Sequence, residues 1–124
     1  MVEAVDVVPK LPQGLYASLM SSKWKERKEA LDELLKVLGS ALRIKDAPEL
    51  NDVAKALAGR MSDANINCVI TAASCLEALA KGLMDDFSRF REVVIPPMLE
   101  RLKERKQSVV DAIGAGLDAA FATV

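Results

Sequence analysis

Three segments of the chain carry small and apolar residues at one shared spacing. When Trp24, Ile66 and Gln107 are superposed, the positions three, six, ten and thirteen residues later coincide, at offsets of 42 and 41 residues. The residues superposed in this way are Arg27, Val69 and Val110, then Ala30, Ala72 and Ile113, then Leu34, Leu76 and Leu117, then Val37, Leu79 and Ala120. Residues at such intervals share one face of an α-helix, so the pattern predicts three equivalent amphipathic helices.

Helical periodicity also occupies most of the chain between these segments. Glycine, proline and serine-rich breakers divide the sequence into about six predicted helices. Their approximate bounds are 12–20, 24–39, 48–62, 65–82, 86–103 and 106–121. The turn "SDAN" offers Ser62 or Asp63 as an N-cap for the fourth helix. Pro96 and Pro97 are expected either to kink the fifth helix or to start its main part.

Taken in pairs, the six helices form three repeats with predicted bounds 12–47, 48–84 and 85–124. A period of about 40–47 residues containing two antiparallel helices is typical of HEAT and armadillo repeats. The sequence therefore predicts an all-α fold, an α-solenoid of three HEAT-like helix pairs within one domain, 1–124. A plain antiparallel helical bundle is the alternative, because it would produce a weaker version of the same pattern.

The last predicted helix lacks the polar outer face expected of a terminal repeat. Its acidic residues are Asp111 and Asp118, and Gly114 and Ala115 leave room for another helix to pack closely. We therefore expect either that further repeats follow Val124 or that this end binds a partner, including a second copy of the chain.

Composition argues against several classes of function. The chain has no histidine and a net charge of −1, so the commonest general base, the commonest zinc ligand and the basic excess of nucleic-acid binders are all missing. Cys68 and Cys75, seven residues apart on one helix, would lie roughly 10 Å apart, too far for a disulfide. The apolar runs, such as "VVIPPML", are shorter than a membrane span. We expect no enzyme activity, no metal or cofactor, and no nucleic-acid or membrane partner.

The turns inside the three repeats are the candidate functional segments. They read "SSKWKER", "SDANINC" and "KERKQSV", and stacked repeats would align them along one edge. That edge would carry Trp24 and Ile66 as apolar anchors, with basic residues at its two ends: Lys23, Lys25, Lys103, Arg105 and Lys106. Apolar anchors ringed by cations fit an acidic protein partner. Alternatively, Trp24 and Ile66 pack back on their own helices as hydrophobic staples, and the cations are only a solvated face.

The segments "LPQGLYASLMSSKWKERKEALDELL", "VAKALAGRMSDANINCVITAASCLEALAKGL" and "VVIPPMLERLKERKQSVVDAIGAGLDAAF" together resemble a TOG domain of the chTOG and Stu microtubule-polymerase family. The resemblance implies a paddle of HEAT-like repeats whose turn edge binds the αβ-tubulin heterodimer without covalent chemistry. It implies tubulin contacts for Trp24 and Lys25, for Asn65 and Ile66, and for Lys103, Arg105 and Lys106. It also implies a location on cytoplasmic microtubules, at spindle poles or centrosomes and at kinetochores.

The resemblance departs from the family pattern in length. A TOG domain has about six repeats, and this chain has three, so it resembles the N-terminal half of one. The "KLP" segment before the first helix is most similar to the second domain of the array. We therefore expect weaker tubulin binding than a whole domain gives. The alternative function is a HEAT-repeat scaffold for a different acidic protein.

Overall fold

The chain folds into six α-helices across residues 2–123, the part that the computed structural model describes. They are α1 (Leu15–Leu19), α2 (Trp24–Gly39), α3 (Leu50–Gly59), α4 (Ile66–Leu83), α5 (Arg91–Arg101) and α6 (Gln107–Phe121). Short 3₁₀ helices cover Val8–Lys10, Arg60–Ser62, Met84–Phe90 and Leu102–Glu104. The predicted all-helical, HEAT-like solenoid is thus confirmed.

The helices form two layers. In one layer α4 packs between α2 and α6, and in the other α3 packs against α5, with α1 lying on α2. The three residues superposed in the sequence, Trp24, Ile66 and Gln107, are the first residues of α2, α4 and α6. The sequence repeat therefore corresponds to a repeat of structure.

The central helix α4 explains why the chain can do without a large aromatic core. Its residues Ala72, Cys75 and Leu79 are fully buried, since α2 and α6 cover it on two sides. The stretch Ile66–Glu104 is long and apolar enough to cross a membrane, but 61% of its most apolar part is buried inside the fold. A core helix can be equally long and apolar, so this apolarity is accounted for by packing.

Two glycines allow neighbouring elements to approach closely. A Cβ at Gly82 would lie 2.5 Å from Cδ1 of Ile44, and one at Gly116 would lie 2.7 Å from Cε of Met98. Ile44 belongs to the connection between α2 and α3, where its amide donates to the backbone oxygen of Gly82 at 2.8 Å. This connection also pairs with the N-terminal segment through an isolated bridge between Val5 and Ile44. The sequence did not predict that bridge.

The predicted start of the fifth helix, at Asp86, is wrong. Met84–Phe90 is a 3₁₀ helix, and α5 begins at Arg91. With three residues per turn, a 3₁₀ helix places Phe87 and Phe90 on one side, and both rings are buried in an edge-to-face pair with centroids 5.6 Å apart. Pro96 and Pro97 lie inside α5 and do not start it.

The predicted N-cap of α4 is also wrong. The capping residue is Asn65, whose Oδ1 accepts a hydrogen bond from the amide of Asn67 at 2.9 Å. Ser62 bonds back to the oxygen of Gly59, and the Asp63 carboxylate is turned inward. The Asp63 carboxylate accepts hydrogen bonds from Arg27, from Arg60 and from the amide of Asn65, which precedes the helix.

Candidate protein-binding edge

The three turns enter α2, α4 and α6 through a residue of similar backbone conformation. The residues before these helices, Lys23, Asn65 and Lys106, have φ/ψ of −94°/115°, −99°/120° and −71°/127°, an extended backbone in every case. We call residues 21–27, 62–68 and 103–109 the first, second and third turns, and the surface they form the turn edge.

Two thiol hydrogen bonds join α2 and α4 and report their relative direction. Cys68 donates to the backbone oxygen of Trp24 (Sγ–O 3.6 Å), and Cys75 donates to that of Leu31 (Sγ–O 3.5 Å). Both pairs are 44 residues apart, so the two helices run in the same direction and start together. The first and second turns therefore lie side by side.

Trp24 is partly displayed at the start of α2. This residue is 38% exposed, and Lys23 and Lys25 on either side of it are exposed. A tryptophan that folded back completely as a staple would be buried, so part of this ring is available for contact with another protein.

The second turn presents less apolar surface than the sequence predicts. Ile66 is half-buried and packs against the hydrophobic core, which favours the staple alternative for this residue. Asn65 is also half-buried, and its side chain is engaged as the N-cap of α4. The exposed residues of this turn are uncharged: Ser62, Ala64 and Asn67.

The third turn is basic and exposed at Lys103, Arg105 and Lys106. Lys103 pairs with Glu100 (Nζ–Oε2 3.0 Å), whereas Arg105 and Lys106 form no ion pair within residues 2–123. Arg105 has a φ of +63°, and this left-handed residue reverses the chain between α5 and α6.

The cations of the turn edge therefore form two groups separated by a neutral middle. Lys23 and Lys25 stand in the first turn and Arg105 and Lys106 in the third, and none of the four has a carboxylate partner among the described residues. Unpaired exposed cations are available to an acidic partner without first breaking an internal ion pair. The family resemblance assigned a contact to Lys25 and not to Lys23, but the two lysines are alike in being exposed and without a carboxylate partner among the described residues.

The main feature that sequence reasoning missed is an ionic cluster around Asp63. The carboxylate is fully buried and accepts hydrogen bonds from Arg27 Nε (2.8 Å) and Nη2 (2.9 Å), Arg60 Nη1 (3.1 Å) and the Asn65 amide (2.8 Å). Burial alone would raise the pKa of Asp63, but the hydrogen bonds from Arg27 and Asn65 and the positive charges outweigh it and lower that pKa below its ordinary value. The sequence contained one signal of this cluster. Arg27 stands where the other two repeats have Val69 and Val110, and Asp63 lies in the neighbouring turn.

Arg101, at the end of α5, contacts the second turn from the other side. Its Nη1 donates to the backbone oxygens of Met61 (3.2 Å) and Asp63 (3.0 Å). Its Nε lies 2.8 Å from Oε2 of Glu104, next to Arg105 of the third turn. The second turn is thus held between arginines from both neighbouring repeats.

Metal-ligating groups and thiols are further candidate sites to consider within residues 2–123. The described residues contain no group of three His, Cys, Asp or Glu side chains that could hold a metal ion. Both cysteines are buried and free, and burial raises the pKa of Cys75 to about 12, so this thiol is a poor nucleophile.

The chain is similar over almost its whole length to much longer curated proteins, although no protein-family model matches it. It is 46% identical over 123 residues to the spindle pole body component alp14 of Schizosaccharomyces pombe, covering 99% of this chain and 15% of that protein. It is 35% identical over 124 residues to the protein mini spindles of Drosophila melanogaster, covering 99% of this chain and 6% of that protein. The chain therefore spans a small part of the length of these relatives.

Two solved structures have the same fold. One, from work on microtubule plus-end tracking by XMAP215, CLIP-170 and EB1, has a TM-score of 0.94 and 35% identity, and the match covers 99% of this chain and 51% of the other. The second, from work on tubulin recruitment and assembly by microtubule polymerases with tumor overexpressed gene (TOG) domain arrays, has a TM-score of 0.91 and 33% identity. That match covers 97% of this chain and 25% of the other.

Proposed function

The chain belongs to the TOG-domain family, and from this membership we propose that it is the N-terminal half of such a domain and binds the αβ-tubulin heterodimer through its turn edge. The observation that carries the proposal is the partly exposed Trp24 at the head of a row of equivalent turns, flanked by unpaired cations. Relatives named for spindles and for spindle poles, and neighbours studied for tubulin recruitment, support the same partner.

Each part of the turn edge has a distinct physical role in this proposal. Trp24 supplies a desolvated anchor, and large aromatic residues contribute much of the energy of protein interfaces. Lys25 beside it, together with Lys103, Arg105 and Lys106 at the other end, meets acidic groups of tubulin, which speeds encounter and fixes orientation. Asn65 and Ile66 complete the contact in the middle, where their half-buried side chains offer shape more than affinity.

The proposed activity is binding without covalent chemistry, as part of a longer microtubule polymerase that promotes growth at plus ends. The matching location is the microtubule cytoskeleton, with spindle poles or centrosomes and kinetochores. Three repeats provide only three turns, so we expect the chain alone to bind tubulin weakly. We also expect the chain to self-associate at high concentration through its C-terminal helix α6, which sedimentation tests.

The proposal can be tested by titrating the ¹⁵N-labelled chain with αβ-tubulin and recording amide signals, since NMR detects weak binding. We expect the signals of the three turns to broaden first. Trp24→Glu should abolish the broadening, whereas Leu42→Glu should not, because Leu42 is 78% exposed but follows the opposite end of α2. Broadening centred on Leu42, or retained in folded Trp24→Glu, would place the interface elsewhere.

A second candidate is a HEAT-repeat scaffold that uses the same edge for a different acidic protein. The two unpaired cation groups favour an acidic partner in general and do not by themselves select tubulin. The same titration can be repeated with a different acidic protein in place of tubulin. If tubulin has no effect and the other protein broadens the signals of the turns, this second function replaces the first.

A further inference from the structure

Asp63 lies in the middle of the proposed binding edge but cannot touch a partner, because its side chain is completely buried. We propose that Asp63 is a positioning residue that holds the turns in the fixed arrangement tubulin recognises, with Arg27 and Arg101 as its supports. We call Arg27, Asp63 and Arg101 the brace. The inference rests on the proposed function, since the turns it positions are those assigned to tubulin.

On the side of the first turn, a single guanidinium performs two tasks. Nε and Nη2 of Arg27 donate to the two carboxylate oxygens of Asp63, while Nη1 donates to the backbone oxygen of Ser21 at 2.8 Å. Ser21 begins the turn that leads to Trp24. Paired, parallel hydrogen bonds between arginine and carboxylate fix geometry as well as adding energy. The second turn therefore determines where the first turn begins.

On the side of the third turn, the brace acts through the backbone. Arg101 donates to the oxygens of Met61 and Asp63 and pairs with Glu104, which immediately precedes Arg105. The same guanidinium thus contacts the second turn and the entry to the third. Because Arg27 and Arg101 approach the second turn from different repeats, a shift of Asp63 would be transmitted to both neighbours.

Such fixation matters because the proposed edge must meet one rigid partner at several points. Contacts from separate turns add up only when the turns are held at the matching spacing, and ordering them at the moment of binding would weaken affinity. A carboxylate that merely stabilised the fold would have no effect on binding once the protein is fully folded. This difference separates a positioning role from a structural one.

The test is a double-mutant cycle between Asp63→Asn and Trp24→Ala, with tubulin affinity measured at a temperature where circular dichroism shows every variant folded. We expect Asp63→Asn to weaken binding about tenfold and the double variant to lose less than the product of the single losses, because a misplaced first turn no longer presents Trp24 correctly. Asp46→Asn is the control, since it removes an ion pair with Arg89 away from the turns and should leave affinity unchanged. Folded Asp63→Asn with wild-type affinity, or losses that simply multiply, would overturn the proposal.

A second variant and a second measurement keep the test decisive. If Asp63→Asn does not fold, Arg27→Lys replaces it, because lysine retains the charge but cannot reach both Asp63 and Ser21 in the same way. If the wild-type chain does not bind tubulin at all, the proposed function fails. Amide spectra of the free variants then still test whether the brace positions the turns. The substituted chain must then show shifted signals at residues 21–25 and 103–106, and unshifted signals there would refute it.

Discussion

The thiol of Cys68 donates a hydrogen bond to the backbone oxygen of Trp24 over 3.6 Å, so the residue proposed to anchor tubulin is tied by its backbone to the central helix. Trp24 as a residue nevertheless remains 38% exposed. One residue thus combines a fixed backbone with an available side chain. An interface anchor benefits from this combination, because little conformational freedom remains to be lost on binding.

Trp24 fluorescence reports this display directly, since the chain has a single tryptophan. We expect the free chain to show a red-shifted emission that acrylamide quenches readily. The measurement is an acrylamide quenching titration of the free chain, with the urea-unfolded chain as the fully exposed reference. A blue-shifted emission that acrylamide does not quench would show that the ring is enclosed.

The two unpaired cation groups should make tubulin binding depend on salt. Lys25→Glu and Arg105→Glu should each weaken binding several-fold and reduce its salt dependence, since exposed charges interact mainly at low ionic strength. Lys55→Glu is the matched control, an exposed lysine on α3 outside the turns. The measurement is the tubulin affinity of each variant at low and at physiological salt. Equal losses for all three variants would indicate a general effect of net charge and would contradict a specific role of the turns.

Gly82 should not tolerate a side chain, because a Cβ there would overlap Ile44. We expect Gly82→Ala to lower the free energy of unfolding by about 1–3 kcal/mol, the usual cost of overpacking a core. Gly114→Ala is the matched control in α6, where nothing lies within 4 Å, and it should raise stability by roughly 0.5–1 kcal/mol. Urea denaturation measures both, and equal effects of the two substitutions would contradict the close approach.

Cys75 should be inert in the folded chain. It is fully buried, donates to Leu31, and has a pKa raised to about 12, so at pH 8 almost no thiolate is available. Labelling with a thiol reagent should therefore follow the rate of unfolding, and urea should release both thiols. The comparison chain is Ser108→Cys, whose exposed position in the third turn should react at once. Rapid labelling of Cys75 without denaturant would disprove its burial.

The sequence predicted those features that depend on local spacing. The starts of α2, α4 and α6 were predicted to within one residue, because small and apolar side chains at helical intervals determine which face of a helix is buried. The inward turn of Asp63 was not, since an aspartate before a helix is ordinarily a cap and its partner Arg27 lies 36 residues away. The partial burial of Ile66 likewise depends on how α4 packs, which its own turn does not reveal.

Asp63 also predicts how stability responds to acid. Its pKa is lowered in the folded chain, so the ionised carboxylate contributes stability that is fully present above the pKa of the unfolded chain, about 4, and is lost as pH falls through the lower folded value. We therefore expect the urea midpoint of the wild-type chain to fall as pH drops below about 4. Asp63→Asn should be less stable at neutral pH and should show a shallower fall.

The relevant quantity is the difference between the two chains, because every other carboxylate titrates in both and cancels. Asp46→Asn again serves as the control, because it removes a partly exposed ion pair with Arg89 that does not involve Asp63. Urea unfolding at several pH values between 2.5 and 6 supplies the comparison. If Asp63→Asn and the wild type lose stability in parallel across this range, the buried carboxylate does not carry the ionic role that its contacts with Arg27 and Arg60 indicate.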